Sequence, residues 1–329
     1  MLLLVGNPSS QSGRNAERIA LARALMERHG IANALLPTRP DGLTVLDVAE
    51  RLRGGGYEAV VAMGGDGTFA DVAKGLMLSG TQIPMGLLPT GTANNNGRSV
   101  GLSADPADLE RNVMTLKEGT PAPFDAGHVA AFDVLDRHVA SDWFFDSMGW
   151  GISARILRMR NEDRRLVAGV PILRELYRDR VVFVGAVARA FLESWVGDQQ
   201  FEAEVTTEHG TVFLEHVTDL IVNNTRYYAS AWVFDPTSSH EDGEMELVPF
   251  RGQQEWIARC AVSIDGLPPV DDTLPEMSPI VRARRFEVRL LERAGADPVE
   301  TQLDGEQWAG ATRWDIEVVR HAIHLLVPG

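Results

Sequence analysis

The sequence is short of cysteine, of basic residues and of long apolar runs, and each shortage removes a class of protein. Its 329 residues include one cysteine, Cys260, so an intramolecular disulfide is ruled out and a reducing compartment fits. The apolar neighbours Trp256, Ile257, Ala261 and Val262 mark a packed thiol rather than a nucleophile. Basic residues number 31 against 46 acidic ones, a formal charge of −15. Nucleic-acid binding needs a basic face, so no nucleic acid is expected as a partner. The same balance argues against permanent attachment to an anionic bilayer, although local basic clusters can still touch one. No stretch approaches the ~20 apolar residues that span a membrane, so no transmembrane segment is expected. The opening Met1-Leu2-Leu3-Leu4-Val5 is too short for a signal-peptide core, lacks a basic start and reads as a first strand. Internal repeats and low-complexity segments are also missing.

What remains is a soluble globular composition, 44% hydrophobic and 23% charged, long enough for two domains. The first third alternates strand and helix. Strands are expected at 2–6, 32–36, 59–63 and 84–88, and helices at 15–29, 44–53, 69–78 and 106–117. This order predicts a parallel sheet with helices on both faces, and ligands beyond the carboxyl ends of its strands. Near Pro121–Phe124 the pattern changes to many strands with period-two alternation: 125–131, 138–148, 201–208, 211–223, 244–249, 284–291, 298–303 and 314–319. That pattern predicts an antiparallel β-sandwich. A helical interruption is expected over 152–195.

Three loops gather at the expected ligand edge. The most informative is Met63-Gly64-Gly65-Asp66-Gly67-Thr68, between an apolar strand and an amphipathic helix. Glycines there let the backbone approach a bound group, and a helix N-terminus suits phosphate. Asp66 repels phosphate unless a divalent cation lies between them. The alternative is a tight turn with Asp66 as a helix cap. Asn7-Pro8-Ser9-Ser10-Gln11-Ser12-Gly13 is either a phosphate-wrapping loop or an ordinary strand-to-helix connection. Gly91-Thr92-Ala93-Asn94-Asn95-Asn96 offers neutral donors and acceptors for ribose, base or phosphate, or is an asparagine-rich turn. Far along the chain, Leu303-Asp304-Gly305-Glu306 supplies two carboxylates for a general base or a metal, or is a hairpin turn.

Occurring in this order, Asn7-Pro8, Gly64–Thr68, Gly91–Asn94 and Asp304–Glu306 resemble the diacylglycerol kinase catalytic domain family, in particular its bacterial lipid kinases, relatives of the sphingosine kinases. The glycine motif is shared with NAD kinases and 6-phosphofructokinases; the Gly-Thr-Ala-Asn loop and the late Asp-Gly-Glu favour the lipid-kinase branch. The resemblance covers essentially the whole chain. It implies a nucleotide domain at 1–123, completed by a return of 313–329, and a β-sandwich lipid domain at 124–312. ATP and Mg2+ are the implied cofactors, and the acceptor is a lipid hydroxyl presented at a membrane surface. Gly64, Gly65, Asp66, Gly67 and Thr68 would hold the ATP phosphates, with Asn7, Thr38, Thr92 and Asn94 near the nucleotide. Asp304 would take the proton from the lipid hydroxyl, with Glu306 as the competing base. Asp125 could join Asp66 around magnesium. A structural magnesium would take the side chain of Asp242 and carbonyls of Ser239 and Glu244; an acidic turn without metal is the alternative.

The sequence departs from the family in two places. The usual Asn-Asp-Phe after Gly-Thr-Ala is Asn94-Asn95-Asn96, so the loop has lost an acid and an aromatic. The segment Phe234–Glu241 is more polar than usual, which weakens the metal reading. Within the helical interruption, Val181–Ala188 is apolar, and Arg155, Arg158, Arg160, Arg164, Arg165, Arg174, Arg178 and Arg180 precede it. This suits either an interfacial helix on lipid phosphates or a core helix pair with solvated arginines. The expected location is the cytoplasm, with peripheral contact at the inner face of the membrane. A homodimer is allowed for. Rival readings are an NAD kinase acting on a soluble dinucleotide and a nucleotide or lipid sensor without turnover.

Overall fold

A computed structural model describes residues 1–8, 14–40, 42–159, 200–265, 277–291 and 299–329. Most of the expected helical interruption, with Val181–Ala188 and the arginines from Arg160 to Arg180, lies outside the described residues; 152–159 are helical.

The first part is the expected alternation: β1 (Leu2–Gly6), α1 (Arg14–Arg28), β2 (Asn33–Pro37), α2 (Leu43–Arg53), β3 (Ala59–Gly64), α3 (Asp66–Ser79) and β4 (Met85–Pro89). Strands β1, β3 and β4 are buried along their whole length, as strands covered on both faces must be. Alternate residues serve opposite cores. Leu3, Val5, Val60 and Ala62 pack with Val48 and Leu52 of α2 and Phe69, Val72 and Leu76 of α3. Leu2, Leu4, Val61 and Met63 pack with Ile19, Leu25 and Met26 of α1 and Leu109, Val113 and Leu116 of α5 (Leu109–Glu118). A short helix not expected from sequence, α4 (Asn95–Ser99), follows β4.

The second part is largely antiparallel: β5 (Thr120–Phe132), β6 (His138–Phe144), β7 (Ser147–Gly151), β8 (Phe201–Thr207), β9 (Gly210–Asn223), β10 (Met245–Arg251), α6 (Gly252–Val262), β11 (Val281–Ala283), β12 (Arg285–Leu291), β13 (Thr301–Leu303), β14 (Glu306–Gln307) and β15 (Arg313–Val327). Many of its buried side chains form a core around Phe144, Trp150, Phe286 and Trp314, and Ile221, Phe234, Val248, Phe250 and Cys260 form a separate cluster. The single strand expected over 138–148 is two strands, broken at Phe145-Asp146. Helix α6 was also not expected.

β15 ties the two parts together. Residues Arg313–Val319 pair with Ala126–Phe132 of β5, and Ile323–Val327 with Thr120–Phe124. Leu325 also meets Met85 of β4 in parallel. The register shifts between Val319 and Ile323, where His321 is left-handed (φ 51°). Such a bulge bends the strand as it passes from one part to the other.

Candidate functional site

Sequence fixes the first half of the site through backbone closeness. Gly65 is extended and makes no side-chain cap bond, and Asp66 is the first residue of α3. Asp66 is not a cap of its own helix: its carboxylate crosses to α4 and accepts from Asn96 N at 3.2 Å and Asn96 Nδ2 at 3.1 Å. Burial raises the Asp66 carboxyl above the usual range, and the amides at the start of α4 pull it back. The two loops touch. Thr90 N donates to Gly64 O at 2.8 Å, and a Cβ on Gly91 would lie 2.3 Å from the Gly65 Cα. A Cβ on Gly64 would lie 2.3 Å from Thr68 Oγ1. Glycine is therefore required at 64 and 91 by approach, not by dihedral angle.

The remaining expected nucleotide residues follow the carboxyl ends of the parallel strands. Asn7, after β1, donates its N–H to Met63 O, and its carbonyl accepts from Asn15 Nδ2 at 2.7 Å. Thr38, after β2, donates its N–H to Gly6 O. Gly67 and Thr92 are exposed, whereas Thr68 is buried against Gly64. Asn94 is left-handed (φ 55°), a conformation asparagine tolerates, and its side chain closes on Gly91 through both Oδ1 and Nδ2. Its amide shapes the loop.

The second half arrives from a hairpin. Leu303 pairs with Glu306, and the two turn residues, Asp304 (φ 47°) and Gly305 (φ 78°), are both left-handed, as a type I′ turn requires. The segment is therefore a hairpin turn, as one of its two readings expected. The Asp304 carboxylate folds under the chain and accepts from the N–H groups of Phe145 (2.9 Å), Asp146 (2.8 Å) and Ser147 (3.2 Å). Burial pushes its carboxyl up to about 6, against the pull of those N–H groups and the Lys74 charge. Lys74 itself pairs with Asp142 at 2.8 Å. Glu306, one residue past the turn, is exposed on β14.

Between the halves lies a residue the sequence reading missed, Asp146. It occupies the break between β6 and β7 and is 6% exposed. One oxygen accepts from Asn95 Nδ2 and the other from Thr225 Oγ1, both at 2.8 Å. Burial first, then the charges of Asp66 and Asp304, hold its carboxyl well above the usual range. Asp146 therefore senses both halves. Its signal in the sequence was an acid set among Phe144, Phe145 and Met148, and the polar Asn223-Asn224-Thr225 closing the apolar β9. Asn224 Nδ2 donates to the carbonyls of Asp125 and Phe145 and fixes the break in place.

Asp125 does not join Asp66 in hydrogen bonding. Its side chain is fully buried and accepts from Gly243 N at 2.8 Å and His321 N at 2.6 Å, so it organises the β15 bulge and the 235–244 loop. The carboxylates of Asp66 and Asp146 instead meet at α4, Asp66 through Asn96 and Asp146 through Asn95. Asn96 is 1% exposed, and its Oδ1 accepts no hydrogen bond, so a buried acceptor is left beside the Asp66 carboxylate. Among the described residues no three His, Cys, Asp or Glu side chains could hold a metal ion by themselves.

The second expected metal set fits less well. Asp242 Oδ1 accepts from Glu244 N at 3.0 Å, while its Oδ2 lies 3.8 Å from the Arg282 guanidinium. A cation already faces the carboxylate on which the structural magnesium was placed.

The fold and site thus define a two-part protein, with a parallel α/β half carrying a glycine turn and an antiparallel half supplying a carboxylate. Residues 1–129 match the model of the diacylglycerol kinase catalytic domain family. Over 283 residues the chain is 28% identical to a probable YegS-like lipid kinase of Pseudomonas putida, covering 85% of this chain and 80% of that one. It is 27% identical over 199 residues to a diacylglycerol kinase of Mycobacterium tuberculosis, covering 58% of this chain and 54% of that one. The fold matches a putative diacylglycerol kinase from Bacillus anthracis with a TM-score of 0.70 at 15% identity, covering 99% and 97% of the two chains. No helix among the described residues is long and apolar enough to cross a membrane.

Proposed function

We propose that the protein is an ATP-dependent lipid kinase that transfers the γ-phosphoryl group of Mg-ATP to a lipid hydroxyl, with Asp304 as the general base. The observation that carries this reading is convergence: Asp146 N donates to the Asp304 carboxylate at 2.8 Å, while Asn95 and Asn96 of α4 donate to the carboxylates of Asp146 and Asp66 at 2.8 and 3.1 Å. In this reading 1–123 with 313–329 holds the nucleotide, and 124–312 holds the acceptor.

The N–H groups of Gly65, Gly67 and Thr68 at the start of α3 would hold the phosphates. Asp66, Asp146 and Asn96 would hold magnesium, which neutralises charge on the transferring group. Asp304, fixed by three backbone N–H groups, orients the acceptor hydroxyl and takes its proton late, because an alcohol is far less acidic than a carboxylic acid. The names of the YegS-like and diacylglycerol kinase relatives support a lipid acceptor. Diacylglycerol, phosphatidylglycerol and sphingoid bases all offer the hydroxyl. The test is incubation with γ-labelled ATP and a total lipid extract. Label in the organic phase supports the proposal. Label in NAD, or ATP binding with no transfer to any lipid, overturns it.

A further inference from the structure

Three carboxylates and a backbone carbonyl converge on the loop between 235 and 246, well away in sequence from the glycine turn. Asp235, Asp242 and Glu246 lie there with the carbonyl of Thr237. An all-oxygen set of this kind attracts a cation, although its carboxylates are not placed to hold a metal ion by themselves. Here it surrounds a side chain. Arg282 of β11 stands directly opposite Glu246 of β10 in the antiparallel ladder. Its Nε and Nη2 both donate to Glu246 Oε1, at 3.1 and 2.7 Å, and Nη2 also donates to Thr237 O at 2.9 Å. Asp235 and Asp242 approach the same guanidinium at 3.5 and 3.8 Å.

We propose that Arg282 is the resident cation of this loop, so that the loop needs no divalent ion at Asp242. The acceptors are already committed. Glu246 is 1% exposed, and its second oxygen accepts from Ser238 Oγ at 2.6 Å. Asp235 Oδ1 accepts from both the N–H and the hydroxyl of Thr237. Asp242 Oδ1 accepts from Glu244 N. An ion on the remaining Asp242 oxygen would face the fixed charge of Arg282 and would have to displace it from a buried carboxylate. A guanidinium suits the place because it offers several donors in one plane and stays charged.

The clamp reaches beyond the loop. The carbonyl of His240 accepts from Asp125 N at 2.7 Å, and Gly243 N donates to the Asp125 carboxylate. Asp125 also holds His321 at the β15 bulge. Arg282 therefore fixes, through the loop, the point where β5 and β15 pass between the two parts.

The test compares the melting temperature of nucleotide-free protein in EDTA and in millimolar Mg2+, for wild type and Asp242→Asn. The wild type is expected to respond to magnesium no differently from Asp242→Asn, because any cation effect arises elsewhere. Arg282→Met is expected to melt roughly 5 °C or more below wild type, since it strands buried Glu246. A wild-type melting temperature that falls in EDTA, with the fall abolished by Asp242→Asn, overturns the proposal. So does an Arg282→Met variant that melts like wild type. The wild-type comparison decides the matter even if that variant fails to fold.

Discussion

Exchanging the partners Asn95 and Asp146 tests the account of the missing loop acid. The family pattern places an acid at position 95; here Asn95 donates its Nδ2 to Asp146 Oδ2 at 2.8 Å, so the carboxylate is on the other partner. Asn95→Asp alone sets two carboxylates at hydrogen-bond distance in a buried site. It loses one hydrogen bond to a charged group, about 1.5–3 kcal/mol, and adds like-charge repulsion that is relieved by taking up a proton. A loss of roughly 2–4 kcal/mol follows. Asp146→Asn alone is mild. Its amide oxygen can accept from Asn95, its NH2 can donate to Thr225 Oγ1, and Thr225 keeps its bond to Tyr227 O. It also removes a charge that faces Asp66 and Asp304. The double variant reverses donor and acceptor, and the new carboxylate at 95 still accepts from Ser230 N, as Asn95 Oδ1 does at 2.7 Å. It should recover to within about 1 kcal/mol of wild type, a coupling of roughly 2–3 kcal/mol. Urea unfolding of the four proteins in nucleotide-free buffer measures this. Additive effects, with coupling under about 0.5 kcal/mol, would refute the reasoning.

Three further outcomes are expected. The Asp304 carboxyl lies at about 6 in the folded chain against an ordinary 3.8, so the unfolded chain ionises first as pH rises. Folding stability from this group is then greatest below pH 4 and declines through pH 6, by at most roughly 3 kcal/mol. Asp304→Asn should remove that decline, so its stability relative to wild type should rise between pH 4 and 7 in metal-free unfolding curves; a constant difference would contradict it. Gly91→Ala drives a Cβ to 2.3 Å from the Gly65 backbone, which cannot move as a side chain can. It should lower stability by about 1–3 kcal/mol and weaken ATP binding in calorimetry, where unchanged affinity would count against contact between the loops. Asp125→Asn leaves one of two buried N–H groups unmatched and should cost about 1–3 kcal/mol without changing the magnesium dependence of turnover. An altered magnesium requirement would return Asp125 to the metal side.

The parallel half was legible because burial on both faces writes continuous apolar runs, as in Ala59–Gly64, and glycines at a crossing announce a close approach. The family resemblance added the expected roles of Asp66 at the phosphates and of Asp304 as the base. What escaped the sequence depends on distant partners. Helix α4 has no apolar stripe in Asn95-Asn96-Gly97-Arg98-Ser99; it is held by Asn96 on Asp66 and by Arg98 over the Tyr227 ring at 4.3 Å. The β6–β7 break is invisible because Phe145 continues the apolar pattern, and only the Asp304 carboxylate reveals why three N–H groups turn out of the ladder there. Asp125 could be placed at the head of the second part, but no pattern states which way a buried carboxylate points. Likewise Asp242 reads as either a metal ligand or part of an acidic turn until Arg282, on another strand, is seen facing it.

The central claim, that Asp304 is the base, is tested most directly by steady-state lipid phosphorylation and ATP calorimetry on wild type, Asp304→Asn and Glu306→Gln. The account predicts that Asp304→Asn abolishes turnover while ATP affinity stays near wild type, and that Glu306→Gln, changed at an exposed position, keeps most of its turnover. Normal turnover in Asp304→Asn, or loss confined to Glu306→Gln, would contradict it.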